Sequence, residues 1–351
     1  MIKNKIRVLI IEDSRLYQMY LKQVIEADEC LMVAGIADCG EKALEIIPAL
    51  SPDIITLDLR LPDMDGFELL EDITRKWKVP VIVVTENADA CERSIALGAC
   101  DFIAKIQDTE PGTAEQFRLL LKLKLKMQAE TRSETPRRAS VKRPAPAAEQ
   151  RSLSSSIIAI GASLGGTETT LRILRQLPDN LPGIVIVQHM PPEYTNAYAM
   201  RLDHCCGLTA REARNGELIL PGTALVARGG EQLTVYRTEQ GYRARVGGTE
   251  KVGGFCPSVD ALFHSVAKAA GADALGALLT GMGRDGAEGL KEMHDNKAYT
   301  LGQSEESCAV FGMPKAAWEL GGVDKLLPPD KIAEEIIQHF HTYGKSEADK
   351  K

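Results

Sequence analysis

Residues 157–170 read IIAIGASLGGTETT, and this stretch predicts a buried strand that turns directly into a helix. Four apolar residues form the strand, while Gly161 and Gly165 permit a tight turn and a close approach of backbone. Ser163 lies in that turn. The spacing matches neither GxSxG nor GxGxxG, so the segment alone leaves open both a nucleophile turn and a phosphate-binding loop at a helix N-terminus.

Short apolar runs alternate with helical periods on either side of this stretch. In the first half the runs predict strands at 7–11, 32–36, 54–57, 81–84 and 101–103, with helices between them such as 16–27 and 40–50. In the second half they predict strands at 157–160, 183–187, 224–227 and 274–279, and helices at 171–177, 258–270 and 331–341. Residues 218–246 add antiparallel hairpins, since Gly229-Gly230 lies between two strand-like runs. Strands separated by helices predict an α/β protein with two doubly wound parallel sheets.

The composition of the 351 residues is that of a folded protein, with 44% hydrophobic and 26% charged residues. A net charge of −7 disfavours a dedicated nucleic-acid binder, which needs a basic face. No apolar stretch approaches the roughly 18 residues of a membrane span, so no membrane insertion is expected. The N-terminal residues do not have the pattern of a secretory signal, so the eight cysteines are expected to be reduced thiols in a cytoplasmic protein. No CxxC pair is present, so no zinc site is expected.

Residues 128–156 are rich in Pro, Ala, Ser and Arg and contain almost no large apolar side chain. No hydrophobic core can be built from such a composition, so the segment is predicted to be a flexible linker. The predicted organisation is therefore a first domain at 1–126, a linker at 127–154 and a second domain at 155–345.

Acidic residues follow two strands of the first domain. Glu12 and Asp13 end the first strand and Asp58 ends the third, while Thr85 ends the fourth and Lys105 follows the fifth. The carboxyl ends of strands in an open parallel sheet meet at one edge. Three acids held together there favour a hard divalent cation such as Mg²⁺, and Lys105 could neutralise an incoming phosphoryl group.

The segments RVLIIEDS, LDLRLPDMDG, VVTE and DFIAK together resemble the response-regulator receiver domain, over about residues 5–125. The resemblance implies a flavodoxin-like fold in which Asp58 accepts phosphate from a chemotaxis histidine kinase. It further implies these roles: Mg²⁺ ligands Glu12, Asp13, Asp58 and the backbone of Arg60; phosphoryl contacts Thr85 and Lys105; and a switching aromatic, Phe102. Two positions depart from the family pattern, since Ile106 replaces a usual proline and Glu86 a usual small residue.

A histidine and an aspartate also follow predicted strands of the second domain. His189 comes directly after GIVIVQ, and Asp285 lies in the Gly-rich segment LTGMGRDG at 279–286. With Ser163, three strand ends supply the set needed for acyl transfer, in which Ser163 attacks, His189 takes its proton and Asp285 orients the imidazole. The helix after Ser163 adds a positive dipole end near the developing oxyanion.

The blocks IGASLGGTE, VQHMPPEYT, GGFCPSVDALFHS, LLTGMGRDGAEGL and ESCAVFGMPKAAWELGGVD closely resemble the methylesterase domain of the chemotaxis protein-glutamate methylesterases (CheB). The resemblance covers about residues 155–342 and implies a Rossmann-like domain with Ser163, His189 and Asp285 as catalytic residues. It also implies that the Met282 N–H helps to form the oxyanion hole. The implied substrate is a glutamate γ-methyl ester on methyl-accepting chemotaxis receptors, with glutamine deamidation as a second activity and no cofactor for the esterase.

The second domain also departs from its family. Leu164 replaces a frequent threonine, Glu231-Gln232 stand where a histidine is common, and ALVARGG replaces a version that contains proline.

Together the two resemblances predict a phosphorylation-controlled serine hydrolase, whose unphosphorylated receiver covers the catalytic cleft. A non-catalytic signalling adaptor stays open as an alternative, although the intact serine, histidine and aspartate argue against it. A DNA-binding output domain is disfavoured because no basic recognition helix is present. A nucleotide-binding domain is disfavoured because no Walker lysine follows the glycines.

Overall fold

The computed structural model describes residues 5–87, 89–105, 113–130 and 155–348. The chain divides into two compact units, Met1–Pro136 and Arg137–Lys351. In the part of the chain that the structure describes, no helix is both long enough and apolar enough to cross a membrane.

The first unit is a five-stranded parallel sheet in the order β2-β1-β3-β4-β5. Its strands are β1 Ile6–Ile11, β2 Leu31–Ala37, β3 Ile54–Leu57, β4 Val81–Thr85 and β5 Asp101–Ala104. Its helices are α1 Arg15–Glu26, α2 Gly40–Leu50, α3 Gly66–Lys76, α4 Ala90–Ala96 and α5 Thr113–Glu130. The central strands read as apolar runs because helices cover both faces of a parallel sheet. This strand order is flavodoxin-like, as the sequence predicts.

The second unit is built on a seven-stranded parallel sheet in the order β14-β13-β12-β6-β7-β9-β8, with a separate antiparallel pair β10-β11. Its strands are β6 Ile157–Ala162, β7 Gly183–Gln188, β8 Thr209–Glu212, β9 Thr223–Val226, β10 Leu233–Thr238, β11 Gly241–Val246, β12 Ala274–Leu278, β13 Tyr299–Gln303 and β14 Lys325–Leu327. Its helices are α6 Gly166–Leu174, α7 Pro192–Cys205, α8 Val259–Ala270, α9 Ala287–Asp295, α10 Met313–Glu319 and α11 Pro329–Ala348. The prediction of two doubly wound parallel sheets is confirmed.

Three details differ from the sequence-based expectations. Helix α5 continues through Glu130, so the first residues of the predicted linker are helical, and 131–154 lie outside the described residues. The predicted hairpin is present as β10-β11, but its turn is at 239–240. Gly229-Gly230 instead connects β9, in the large sheet, with β10 in the separate pair. Strands β8, β13 and β14 are short or partly exposed, and no clear apolar run marks them.

The strand order places the candidate residues at the switch point of each sheet. In the first unit β1 lies between β2 and β3, and in the second β6 lies between β7 and β12. Ligand sites of open α/β sheets form at such points, outside the carboxyl ends of the strands. The segments that follow these strands are therefore where chemistry is expected.

Candidate active site and phosphorylation site

The carboxylate of Asp285 is buried and accepts four hydrogen bonds. Its Oδ1 accepts from the Ser258 hydroxyl at 2.7 Å and from the Asp260 N–H at 3.1 Å. Its Oδ2 accepts from the Val259 N–H at 2.7 Å and lies 2.7 Å from His189 Nε2. Three of these donors belong to the N-cap and first turn of α8. The carboxylate therefore occupies the anion-binding end of a helix, which favours its charged form.

Burial by itself would raise the pKa of Asp285. The hydrogen bonds from His189, the Val259 N–H and the Ser258 hydroxyl outweigh burial, so the pKa lies below its ordinary value. A carboxylate held ionised in this way can accept the imidazole N–H and stabilise an imidazolium beside it.

The imidazole of His189 is oriented by two contacts. Nε2 bonds to Asp285, and the ring stacks on Phe255 with centroids 4.2 Å apart and planes within 3° of parallel. Nδ1 is buried and has no hydrogen-bond partner among the described residues. With Nε2 turned to the carboxylate, Nδ1 is the nitrogen that remains for accepting a proton from a nucleophile.

Ser163 follows β6 in a turn that is bonded to both neighbouring strand ends. Its N–H donates to Thr280 O at 3.0 Å, and the next strand end is held by a bond from the His189 N–H to Ala162 O at 3.1 Å. The Gln188 side-chain amide donates to Ser163 O at 2.8 Å and to His189 O at 3.1 Å. No hydrogen bond joins the Ser163 hydroxyl to His189 in the described structure, a common state of catalytic pairs before substrate binds.

Met282 lies on a loop that passes directly beside Ser163. A Cβ placed on Gly281 would lie 2.7 Å from Ser163 Cβ, so only glycine permits this approach. The Gly281 N–H donates to Val310 O at 3.0 Å, and its carbonyl accepts from the Gly312 and Met313 N–H groups at 3.1 and 3.0 Å. The Met282 N–H donates to no described residue, and the side chain is 66% exposed. A free N–H on a fixed loop beside a serine suits an oxyanion donor.

The structure thus brings His189, Asp285 and Ser163 to one sheet edge, and it adds three residues that sequence reasoning missed. They are Phe255, Ser258 and Gln188. Ser258 could have been found as the N-cap of a predicted helix, although an N-cap serine does not by itself point to a carboxylate elsewhere. Nothing in the local sequence marks Phe255 as a ring that stacks on His189.

The residues of the second unit that differ from the family pattern form specific contacts in the structure. The Glu231 carboxylate lies 3.4 Å from Nη1 of Arg228, in the unusual ALVARGG segment, so these two departures pair with each other. Leu164 brings no hydroxyl, but its carbonyl accepts from the Thr280 hydroxyl at 3.0 Å.

In the first unit a buried ammonium bridges two carboxylates. Lys105 Nζ lies 2.7 Å from Asp58 Oδ2 and 2.9 Å from Glu12 Oε1, and all three residues are buried. Burial raises the pKa of Glu12 even though the Lys105 ammonium acts in the opposite direction. Burial alone would lower the pKa of Lys105, but its bonds to Asp58 and Glu12 raise it. The lysine is thus charged and already points at the predicted phosphorylation site.

Oxygen atoms of Glu12, Asp13 and Asp58 lie within 4.8 Å of one another. One ammonium faces these three acids, which leaves an excess of negative charge. Carboxylate oxygens at this spacing are the donor set that Mg²⁺ prefers, so the residues present fit the predicted cation.

The remaining predicted receiver residues line the same edge or lie near it. The Thr85 hydroxyl accepts from the Asn87 N–H at 3.2 Å, and Phe102 is buried on β5. The Arg60 N–H donates to Asp58 Oδ1 at 3.3 Å, and its guanidinium pairs with the carboxylate of Glu86. The charge that Glu86 adds beside the predicted phosphorylation site is therefore balanced by Arg60. Ile106 lies outside the described residues.

Family comparison assigns both units. The sequence model of the CheB methylesterase family matches residues 158–336, and that of the response regulator receiver domain matches residues 8–114. The fold and these two family matches together identify the chain as a response regulator, with a receiver domain as its first unit and a hydrolase domain as its second.

The chain belongs to the CheB family of protein-glutamate methylesterases. It is 41% identical over 349 residues to protein-glutamate methylesterase/protein-glutamine glutaminase 2 of Pseudomonas aeruginosa, covering 97% of this chain and 98% of that protein. A Pectobacterium atrosepticum protein-glutamate methylesterase/protein-glutamine glutaminase is 38% identical over 340 residues, covering 95% and 97%. The Thermotoga maritima CheB methylesterase catalytic domain superposes with a TM-score of 0.51 at 35% identity, covering 52% of this chain and 97% of that one. The family predicted from the motifs is confirmed.

Asp285→Asn should lower stability in a pH-dependent way. A carboxylate whose pKa is depressed on folding contributes stability above its ordinary pKa of about 4, and this contribution is lost as the pH falls through the folded value. We expect the variant to be less stable than wild type by about 2 kcal/mol at pH 7, and the gap to narrow between pH 5 and 3. Denaturant unfolding of the full chain measures it, with Asp179→Asn as control. Parallel curves for wild type and variant over this pH range would contradict the assignment.

Glu86→Gln should speed phosphorylation of the receiver by a small anionic phosphodonor. The substitution removes one negative charge near Asp58 and releases the Arg60 guanidinium. A charge effect of about 1 kcal/mol corresponds to a roughly fivefold higher rate, diminishing as salt is added. Intact-mass spectrometry over time in Mg²⁺ measures the rate, with Glu71→Gln as the matched control and Arg60→Gln expected to slow it. A Glu86→Gln rate at or below that of wild type would show that this carboxylate does not impede the donor.

Proposed function

We propose that the chain is a phosphorylation-controlled protein-glutamate methylesterase in which Ser163, His189 and Asp285 carry out the hydrolysis. The observation that carries the proposal is the 2.7 Å bond between His189 Nε2 and the buried Asp285 carboxylate, at the sheet edge where Ser163 also lies. Relatives of nearly the same length are named for this activity and for glutamine deamidation.

In the acylation step the Ser163 hydroxyl attacks the γ-carbonyl carbon of the methyl ester. His189 Nδ1 takes the hydroxyl proton while Asp285 holds Nε2–H and stabilises the imidazolium. The tetrahedral intermediate collapses, its C–O bond to the methoxy group breaks, and the leaving oxygen takes the proton from Nδ1 to depart as methanol. A glutamine side chain would follow the same route and release ammonia.

In the deacylation step water attacks the Ser163 ester, and His189 takes one water proton and passes it to the serine oxygen as the acyl bond breaks. The products are free enzyme and a glutamic acid side chain, which ionises by releasing the second water proton to solvent. The Met282 N–H is the proposed donor to the oxyanion in both steps, assisted by the positive N-terminal end of α6.

In the receiver, Asp58 is the proposed phosphoryl acceptor. Bound Mg²⁺, held by Glu12, Asp13, Asp58 and the backbone of Arg60, would neutralise charge on the entering phosphoryl group. Lys105 already pairs with Asp58 and would transfer that contact to a phosphoryl oxygen. Thr85 and Phe102 are the proposed responders, since a phosphoryl group adds charge and acceptor oxygens to which the Thr85 hydroxyl can donate.

The proposed partners follow from the family. A chemotaxis histidine kinase would supply the phosphoryl group, and the methylated glutamates would lie on the cytoplasmic helices of methyl-accepting chemotaxis receptors. The proposed place of action is therefore the cytoplasm.

Ser163→Ala should lower methanol release from methylated receptor membranes by at least about 10³-fold, because the acyl-enzyme can no longer form. Exposed Ser51→Ala is the matched control and should retain activity. A stoichiometric serine-directed fluorophosphonate should label wild type once per chain and leave Ser163→Ala unlabelled. Full methanol release by Ser163→Ala would refute the nucleophile, whereas no release by wild type from any cognate receptor would favour the adaptor alternative.

Asp58→Asn should abolish the response of methanol release to a small phosphodonor. In wild type we expect a rise of roughly 5- to 150-fold, the usual range for coupling between two sites, and expect a metal chelator to remove it. Asp72→Asn, on α3 of the same unit, should respond like wild type. An Asp58→Asn protein that is still stimulated would place the control elsewhere.

A further inference from the structure

Gln232 is a buried residue whose side-chain amide bonds to the loop at 250–255 and to the N-cap of α8. Its Nε2 donates to Glu250 O at 2.9 Å and to Phe255 O at 3.1 Å, while its Oε1 accepts from the Ser258 N–H at 2.9 Å. The residue is only 9% exposed, so water competes little for these bonds.

Two of the residues held by Gln232 contact the proposed catalytic pair. Phe255 stacks on the imidazole of His189, and the Ser258 hydroxyl donates to the Asp285 carboxylate. The Gln232 amide therefore fixes the backbone of both residues: Phe255, which contacts His189, and Ser258, which contacts Asp285.

Apart from its bonds to Gln232, the segment that ends at Phe255 is bonded mainly within itself: Val252 and Phe255 exchange two main-chain bonds at 3.0 Å. Just beyond the segment, the Gly230 N–H donates to Cys256 O at 3.2 Å. Residues 247–254 are exposed, and four glycines there have positive φ: Gly247, Gly248, Gly253 and Gly254. Nothing lies within 4 Å of the Cβ position of any of the four. The main chain of Gln232 also bonds this segment, from its N–H to Gly248 O at 3.0 Å and from the Gly247 N–H to its carbonyl at 3.1 Å. Gln232 thus supplies much of the attachment of an otherwise open, glycine-rich loop.

We propose that Gln232 is a positioning residue for the hydrolytic reaction, acting through Phe255 and Ser258 on His189 and Asp285. The inference rests on the proposed function of that pair. Stacking on a fixed Phe255 ring limits rotation of the imidazole, so that Nε2 stays on Asp285 and Nδ1 stays free for the serine proton. Because the Gln232 amide is neutral and does not titrate, its hydrogen bonds to the loop and to Ser258 persist at every pH at which the enzyme works.

The test begins with Gln232→Met, which has nearly the same size and removes all three side-chain bonds. We expect kcat for methyl-ester hydrolysis to fall roughly 10- to 100-fold with KM within about threefold of wild type, because misplacement of the base weakens the transition state and not substrate binding. Gln176→Met, an exposed glutamine in the same unit, is the matched control and should keep wild-type kcat. A fall in substrate affinity without a fall in kcat would overturn the proposal.

A double-mutant cycle shows whether Gln232 acts through the stacked ring. Phe255→Leu removes stacking while the bonds from the Gln232 side chain to the main chain remain possible. Should Gln232→Met fail to fold, the shorter amide of Gln232→Asn, which cannot keep all three side-chain bonds, takes its place in the test. We expect the double variant to be little worse than the more severe single one, since both changes release the same imidazole. Independent effects that multiply in the double variant would refute the route through Phe255.

Nuclear magnetic resonance of the histidine side chains separates this inference from the proposed activity. In full-length protein with labelled histidines, the ring of Phe255 should shift the His189 carbon-bound protons upfield, and His189→Gln assigns these signals among the six histidines. Gln232→Met should move them towards the positions seen in Phe255→Leu, and it should do so equally in a Ser163→Ala background. Unchanged His189 signals in Gln232→Met would overturn the positioning role, whether or not the protein hydrolyses esters.

Discussion

The second unit depends on placing one buried negative charge, the carboxylate of Asp285, where water cannot solvate it. Burying an isolated carboxylate is prohibitively costly, so its charge survives only with donors on both oxygens. The N-cap and first turn of α8 supply three of these donors, and His189 supplies the fourth. The helix must therefore be capped at Ser258, and the segment before it must hold that serine in a fixed position. Gln232 restrains this segment, since its side chain bonds to the Phe255 carbonyl in the glycine-rich loop and to the Ser258 N–H.

The first unit has the opposite arrangement, a cluster of carboxylates with a net negative charge. Lys105 balances part of the negative charge of Glu12, Asp13 and Asp58, and the remainder favours a cation. A buried site of this kind is sensitive to any added charge, because interactions between charges are stronger where water is excluded. Arg60 and Glu86 pair beside the cluster, so an anion placed there would compete with Glu86 for the guanidinium. The same sheet-edge geometry thus serves a site that responds to charge and another that holds charge fixed.

The sequence predicts the parts of the molecule that follow from local pattern. Apolar runs locate the central parallel strands, and parallel topology then gathers whatever follows them, which is why Asp58, Lys105, Ser163 and His189 could be placed at sheet edges. Phe255, Gln232 and Ser258 could not be assigned a role in the site, because their partners lie about 25 to 65 positions away along the chain and no periodic pattern connects them. The pairing of Glu86 with Arg60 was missed for the same reason, since nothing in the sequence indicates that two charged residues 26 positions apart are in contact.

Three of the residues that sequence pattern misses are uncharged. Gln232 bonds to main-chain atoms, Phe255 stacks on one face of a ring, and the Ser258 hydroxyl donates to a carboxylate. A charged residue in place of Gln232 or Phe255 would titrate or attract water and would disturb a buried carboxylate whose pKa the surrounding donors keep low. An amide at Gln232 and a hydrocarbon ring at Phe255 restrain the imidazole without entering its proton equilibrium. The second unit therefore divides the two tasks: the charged carboxylate and the imidazole lie at the strand ends, and neutral groups in the intervening segments fix their orientation.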